Sequence, residues 1–185
     1  YIFETYSNLK FAFGPRCFSQ VTPEIANAIY DHARNIVEES KPKLLLDLYC
    51  GVGGFSLFTA THAERVIGIE LSQEAIEAAK ISAQLNNIRN ASFYHADSNS
   101  FKNFVSGEQV EVIICNPPRR GIDKEIIEEI IKTNPREIIY SSCFIDTLAR
   151  DLNLLSANYQ ITSLAPFEMF PLTKHLEIVA HLTKK

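Results

Sequence analysis

Five apolar runs without alternating polar positions follow one another from position 44 onward. They are Leu44–Leu48, Val66–Ile69, Ala91–Tyr94, Val110–Cys115 and Ile138–Tyr140. Each run is separated from the next by a stretch long enough for a helix. Strands that are apolar along their whole length are covered on both faces, as in a parallel sheet with helices on either side. The pattern therefore predicts an α/β fold with a doubly wound, Rossmann-like sheet.

The two ends of the chain carry different patterns. Residues 1–13 are aromatic and β-branched around Ser7-Asn8, which predicts a short hairpin, and Thr22-Pro23-Glu24 is a typical helix start. A further helix is predicted over Ser72–Leu85. Gln160–Leu164 and Glu177–Leu182 are apolar runs with no helix pattern between them. The mostly parallel sheet is therefore expected to close with an antiparallel C-terminal strand pair.

Composition narrows the class of protein. The 185 residues are 46% hydrophobic and 22% charged, as in a globular domain, and no apolar run reaches the ~20 residues of a membrane span. We expect no membrane partner and a cytoplasmic location. The formal charge of -4 argues against nucleic-acid binding by bulk electrostatics, so an RNA substrate requires a local basic patch or another domain. The four cysteines form no C-x-x-C pair, so no metal site is predicted.

A glycine turn follows the first apolar run. Asp47-Leu48-Tyr49-Cys50-Gly51-Val52-Gly53-Gly54 leads into a helix, the arrangement in which backbone amides meet a ligand at the carboxyl edge of a sheet. A dinucleotide fingerprint needs a third glycine where Ser56 stands. Asp47 would repel a pyrophosphate but favours a cationic sulfonium and its ammonium group. The turn therefore favours S-adenosylmethionine over a dinucleotide.

Two further acids follow the next two strands. Glu70 is placed to accept hydrogen bonds from both ribose hydroxyls, and Asp97 is placed to reach an adenine amine. The alternative is a tight turn with acids that cap helices. Three acids at successive strand ends favour the nucleoside site.

Reactive side chains follow the fourth and fifth strands. Asn116 stands before Pro117-Pro118-Arg119-Arg120, which form a stiff loop. The side-chain amide of Asn116 suits the N3–H and O4 edge of uracil or an exocyclic amine. Cys143 lies between a strand and a helical stretch, a position typical of a nucleophile. A proline-rich exit loop and a packed cysteine are the alternatives.

Taken together, the motifs resemble the catalytic domain of the RNA uracil-5-methyltransferases, and most closely the bacterial 23S rRNA uracil-5-methyltransferases. The matching segments are FSQ at 18–20, DLYCGVGGFSL from 47, GIE at 68–70, NPPRRGI from 116, IIYSSC at 138–143, LARDL from 148 and MFPLTKHLE at 169–177. The resemblance implies a class I methyltransferase fold. It also implies methylation of a uridine in RNA, rRNA above all, at C5 through a covalent cysteine–uracil C6 adduct.

The resemblance assigns roles to individual positions. It implies that Gln20, Tyr49, Glu70 and Asn116 contact S-adenosylmethionine, which becomes S-adenosylhomocysteine. Together with the residues named above, the candidate sites are as follows: for catalysis Cys143, Glu177 and Asn116, and for the cofactor Gln20, Asp47, Tyr49, Gly51, Gly53, Glu70, Asp97 and Asn116. Cys143 is then the nucleophile and Glu177 the proton acceptor, with Glu168 and His175 as competitors.

The chain departs from the family pattern at three positions. Asn116 stands where many relatives carry Asp, Phe144 where Asn is common and Leu172 where His is frequent. Relatives also carry an N-terminal RNA-binding part and cluster-binding cysteines. We therefore interpret residues 1–20 as the remnant of a missing N-terminal part, in which an iron–sulfur cluster is possible, and residues 21–185 as the catalytic domain.

Two other functions remain open from the sequence. One is an amino-group methyltransferase that grips a nitrogen with Asn116-Pro117-Pro118-Arg119, although such enzymes usually carry an aromatic residue where Arg119 stands. The other is a cofactor-binding fragment without activity of its own.

Overall fold

The computed structural model describes residues 1–18, 22–105, 107–168 and 176–185. In chain order the elements are β1 (Ile2–Tyr6), β2 (Leu9–Phe13), α1 (Pro23–Ser40), β3 (Leu44–Leu48), α2 (Gly54–Thr59), β4 (Arg65–Glu70), α3 (Gln73–Leu85), β5 (Ala91–His95), α4 (Lys102–Val105), β6 (Val112–Cys115), α5 (Lys124–Thr133), β7 (Glu137–Ser142), α6 (Ile145–Leu155), β8 (Tyr159–Glu168) and β9 (Leu176–Lys184). Short 3-10 turns at Ala60–His62 and Ser98–Ser100 follow α2 and β5.

Seven strands form the central sheet in the order β5-β4-β3-β6-β7-β9-β8. The strands from β5 to β7 are parallel, and β9 is antiparallel to both β7 and β8. The predicted α/β class, the doubly wound parallel sheet and the antiparallel C-terminal pair are all confirmed. The last strand lies inside the sheet, between β7 and β8, rather than at its edge.

Strand β3 shows why the apolar runs become central strands. All five of its residues are buried, and successive side chains point to opposite faces of the sheet. Leu44, Leu46 and Leu48 pack with residues of α5 and α6, whereas Leu45 packs with residues of α1. A strand covered by helices on both faces has no solvent-facing position, which accounts for the absence of polar alternation.

The N-terminal hairpin, formed by β1 and β2 with Ser7 and Asn8 at its turn, confirms the prediction for residues 1–13. It lies on α3. The amides of Ala12 and Lys10 donate to Ser82 Oγ and Asn86 Oδ1, each at 2.9 Å. Side chains of α3 and its C-cap therefore form hydrogen bonds with β2 amides that have no partner strand on that edge.

Candidate functional site

The carboxyl ends of the parallel strands surround a cavity of about 640 Å³. This edge is where ligands bind in open α/β sheets, and the volume suits a ligand of nucleoside size. Seven of the predicted site residues line the cavity: Tyr49, Gly51, Glu70, Asp97, Asn116, Cys143 and Glu177. These residues come from the ends of six different strands, and their common location makes this cavity the candidate active site.

The turn after β3 approaches the cavity in an unusual backbone conformation. Tyr49 has φ +61°, Gly51 φ +54° and Gly53 φ +86°. A bulky residue with positive φ costs about 1–2 kcal/mol, which is tolerated where the surroundings fix it, as at functional sites. A Cβ at Gly51 would meet nothing within 4 Å, whereas one at Gly53 would lie 3.1 Å from the Phe93 ring. Gly51 thus leaves space for a ligand, and Gly53 leaves space for core packing.

Asp47 lies beneath this turn rather than on the cavity wall. Its carboxylate is fully buried, and Oδ2 accepts from the Ser56 amide at 3.0 Å and from the Ser56 hydroxyl at 2.6 Å. Ser56, at the position of the missing third glycine, therefore ties α2 to the end of β3. Neither Asp47 nor Gly53 is among the cavity-lining residues, so their direct contact with a cofactor stays a prediction.

Burial raises the pKa of Asp47 to about 7, and the hydrogen bonds from Ser56 only partly oppose that shift. Because the folded-state pKa lies above the unfolded value of 3.8, the folded chain binds the extra proton, and this contribution to stability is lost as the pH rises towards 7.

In the parent chain, the titration of Asp47 should lower the unfolding free energy by roughly 4 kcal/mol between pH 4 and 7.5, since one pKa unit is about 1.4 kcal/mol. We expect Asp47→Asn to lack this decrease, because Asn does not titrate. Urea unfolding of both proteins across this range measures it. Asp146→Asn, which changes an exposed carboxylate on α6, is the matched control. If the unfolding free energies of Asp47→Asn and the parent chain changed with pH in the same way, the raised pKa of buried Asp47 would be contradicted.

Glu70 joins the ends of β3 and β4 at the cavity. Its Oε2 accepts from the Gly51 amide at 3.2 Å, and Oε1 accepts from the Ser72 amide at 2.8 Å. Each carboxylate oxygen has a second lone pair, so capacity remains for a ligand diol. Asp97, exposed at the end of β5, is held by the Asn99 amide at 2.8 Å. Both predicted acids are thus fixed in place at the cavity wall.

The loop that carries Asn116 is anchored at both of its ends. The backbone amide of Asn116 donates to Leu48 O at 3.3 Å, and its side chain lines the cavity. Buried Asp151 accepts from the Ile122 amide at 2.8 Å and from the Tyr140 hydroxyl at 2.6 Å. Asp151 therefore joins the loop to α6 and β7. Reasoning from the residues gave it no role, because nothing local marks it.

Three of the four cysteines are unsuited to be a thiolate. Burial raises the pKa of Cys50, Cys115 and Cys17, and nearby Asp47 and Glu70 raise that of Cys50 further. Cys143, in contrast, is partly exposed and lines the cavity two positions before α6 begins. Cys50 also lines the cavity but is buried, so Cys143 is the accessible thiol of the site, and its role as nucleophile stays a prediction.

Glu177 enters the same cavity from β9. Only 4% of the residue is exposed, and its Oε1 accepts from the Ser141 hydroxyl at 2.5 Å. Burial raises the pKa of Glu177, and the Ser141 hydrogen bond lowers it in part. Glu168 is exposed and does not line the cavity. His175 and Gln20 lie outside the described residues.

Aromatic side chains that had no predicted site role form another wall of the cavity. Tyr6, Phe11 and Phe13 come from the hairpin, and Tyr30 from α1. The Tyr30 ring packs edge-on against Phe55, with the centroids 5.0 Å apart. Local pattern does not show which distant surface a hairpin packs against, so this wall could not be predicted from the sequence.

The described parts of the chain contain neither a membrane-spanning helix nor a cluster of metal-binding side chains. No helix there is long and apolar enough to cross a bilayer. No group of three or more His, Cys, Asp or Glu side chains is arranged there to hold a metal ion.

Comparisons with known proteins agree on one family. The family model described as "tRNA (Uracil-5-)-methyltransferase" matches residues 5–185. A 23S rRNA (uracil(747)-C(5))-methyltransferase from Shewanella amazonensis is 44% identical over 183 residues, which are 98% of this chain and 47% of that protein. An uncharacterized RNA methyltransferase from Oceanobacillus iheyensis is 39% identical, covering 100% of this chain and 41% of its own length. The chain thus spans about half the length of these relatives.

A solved structure is similar over nearly the whole chain. The tRNA (uracil-54, C5)-methyltransferase of Pyrococcus abyssi, in complex with S-adenosyl-L-homocysteine, superposes with a TM-score of 0.87 at 31% identity. The match covers 98% of this chain and 44% of that one. A second structure from Pyrococcus abyssi, Trm5b, has a TM-score of 0.73 at 17% identity and supports the fold alone.

Proposed function

Because the chain belongs to the tRNA (uracil-5-)-methyltransferase family, we propose that it transfers a methyl group from S-adenosylmethionine to C5 of a uridine in RNA. The observation that carries the proposal is the meeting of Cys143, Asn116 and Glu177 on the wall of one cavity. A thiol, an amide and a buried carboxylate are the three groups that methylation of a poorly nucleophilic pyrimidine carbon needs.

The cavity suits S-adenosylmethionine. Glu70 and Asp97 offer carboxylates to a ribose diol and an adenine amine, and Gly51 leaves room beside the backbone. The acidic side chains also favour a cationic ligand over a pyrophosphate. Tyr49 and Asn116 complete the set that we assign to the cofactor among the described residues. When bound, S-adenosylmethionine supplies an electrophilic methyl group.

Three side chains of this protein then perform separate steps of the reaction. The Cys143 thiolate forms a bond to uracil C6, and the C5–C6 π electrons move to O4 as an enolate. Asn116 donates to O4 or accepts from N3–H, which stabilises that charge. A bond forms between C5 and the methyl group, while the bond between the methyl carbon and the sulfonium sulfur breaks. Glu177 removes the C5 proton, after which the C6–S bond breaks and the thiolate is restored.

The cofactor assignment predicts a loss of affinity for Glu70→Ala. The variant lacks two charge-assisted hydrogen bonds to the ribose, each worth about 1.5–3 kcal/mol, so binding of S-adenosylhomocysteine should weaken at least about tenfold. Isothermal titration measures it. Glu77→Ala, on the exposed side of α3, is the control. Equal affinity in Glu70→Ala and the parent chain would remove Glu70 from the cofactor site.

The reaction itself is tested by trapping. RNA that contains 5-fluorouridine cannot lose a proton from C5, so a covalent protein–RNA adduct should accumulate in the presence of S-adenosylmethionine. Denaturing electrophoresis and mass spectrometry detect it. Binding of S-adenosylhomocysteine without an adduct would instead favour methylation of an amino group.

We further propose that the RNA is a cytoplasmic 23S rRNA, by analogy with the most similar relatives. The two exposed arginines of the loop after Asn116 provide a local cationic edge, although Arg120 faces Asp123 at 3.5 Å. Mass mapping of 5-methyluridine in rRNA from cells with and without the gene tests this. Loss of the modification from a tRNA instead would reassign the substrate.

A further inference from the structure

Two buried polar side chains meet beside the cavity, where β7 and β9 pair. Ser141 is 1% exposed and Glu177 is 4% exposed, and 2.5 Å separates the Ser141 hydroxyl oxygen from Glu177 Oε1. Glu177 lines the cavity, whereas Ser141 does not. Ser141 therefore touches the carboxylate without reaching the space where a substrate would lie.

The two oxygens of this carboxylate have different surroundings. Oε1 accepts from Ser141, and Oε2 has no hydrogen-bond partner in the described ranges. A carboxylate held at one oxygen keeps a fixed orientation, because rotation would break a charge-assisted hydrogen bond in a buried setting. We propose that Ser141 is a positioning residue that holds Glu177 so that Oε2 remains available to take the C5 proton. The inference rests on the proposed methyl transfer.

The hydrogen bond from Ser141 also favours the ionised form of the carboxylate. Burial disfavours the ionised form of Glu177, and a hydroxyl that donates to the carboxylate favours it. Other polar side chains that line the same cavity include the Tyr30 hydroxyl from α1, whose pKa burial raises, and the Cys143 thiol. The neighbour of Glu177 on β8 is the apolar Phe167. Among the described residues, Ser141 is the donor to this carboxylate, and its loss should make the proton-accepting form less favourable.

The release of tritium from RNA labelled at uracil C5 tests the step that Glu177 performs. Single-turnover release is measured between pH 5.5 and 9 for the parent protein, Ser141→Ala, Ser141→Thr and Ser142→Ala. We expect Ser141→Ala to shift the acidic midpoint upward by about one to two pH units and to slow release at least about tenfold below it, since this hydrogen bond is to a charged group. The rate should recover at high pH.

Two variants separate positioning from general damage to the fold. Ser141→Thr keeps the hydroxyl and should return the midpoint towards that of the parent. Ser142→Ala removes a hydroxyl from the same strand that donates to Phe144 O rather than to Glu177, so its midpoint should not move. Ser141→Ala should also bind S-adenosylhomocysteine and form the 5-fluorouridine adduct as the parent does, because neither event requires proton removal.

The outcomes distinguish this inference from the function on which it rests. If the parent releases no tritium and forms no adduct, the methyl transfer and the role of Ser141 both fail. If the parent releases tritium and Ser141→Ala has an unchanged midpoint, only the role of Ser141 fails. A uniform loss of rate at every pH in Ser141→Ala would likewise overturn it, because that result reflects structural damage.

Discussion

The Cys143→Ala variant is expected to bind S-adenosylhomocysteine as tightly as the parent protein and to lose RNA methylation by at least about 1,000-fold. The physical reason is that uracil C5 becomes nucleophilic only after a thiolate has added to C6, and removal of an enzyme nucleophile commonly costs several orders of magnitude. Incorporation of a labelled methyl group into RNA measures the loss. The 5-fluorouridine adduct should disappear as well.

Cys115→Ala is the matched control for this variant. Cys115 is fully buried at the end of β6, and burial raises the pKa of its thiol, so its replacement should cost packing energy and leave the covalent adduct intact. Appreciable methylation by Cys143→Ala would move the chemistry to a mechanism without a covalent nucleophile. Loss of S-adenosylhomocysteine binding in that variant would instead indicate damage to the cavity.

Glu177→Gln is expected to add to uracil and to methylate it, but to release the product about 100- to 10,000-fold more slowly. A Gln side chain can keep the hydrogen bond with Ser141 yet cannot remove the C5 proton. A methylated protein–RNA adduct should therefore accumulate with ordinary, unfluorinated RNA. Denaturing electrophoresis followed by mass spectrometry of the adduct identifies both the bond and the transferred methyl group.

The control is Glu168→Gln, which changes an exposed acid on β8 that does not line the cavity. It should turn over normally. Normal turnover of Glu177→Gln without a trapped adduct would transfer the role of base to His175 or to water. The pH dependence gives a second criterion: because burial raises the pKa of Glu177, the acidic limb of proton removal should lie above the range of an ordinary glutamate.

Elements with a strong local signal could be predicted from the sequence. Strand β3 has the predicted bounds Leu44–Leu48, and α1 begins at Pro23 as its start signal indicates. Both depend on short-range chemistry: an uninterrupted apolar run for the strand, and a proline at the first helical position for the helix. The residues at the strand ends reached the cavity because parallel strands point their carboxyl ends to one edge.

Features that depend on distant contacts were not predictable. Ser141 and Glu177 are 36 positions apart, and only the pairing of β7 with β9 brings them together. Asp47 was predicted to contact the cofactor, and that contact stays a prediction; what the sequence did not indicate is that its carboxylate lies below the turn and accepts from Ser56 at one oxygen. Sequence spacing fixes which strand end a residue follows, but not whether its side chain points up into the cavity or down into the core.

Because β9 lies between β7 and β8, the sheet cannot assemble in the order in which its strands are synthesised. β8 precedes β9 in the chain, yet it touches β7 only through β9, so β8 has no edge to join until β9 is in place. The two strands are neighbours in the chain, so they can pair with each other first and join β7 together. The edge of β7 stays open until then, and the same event delivers Glu177 to the cavity. We therefore expect the carboxylate to reach the cavity only when β9 pairs with β7, and pulsed hydrogen exchange of the β7 and β9 amides during refolding measures that step.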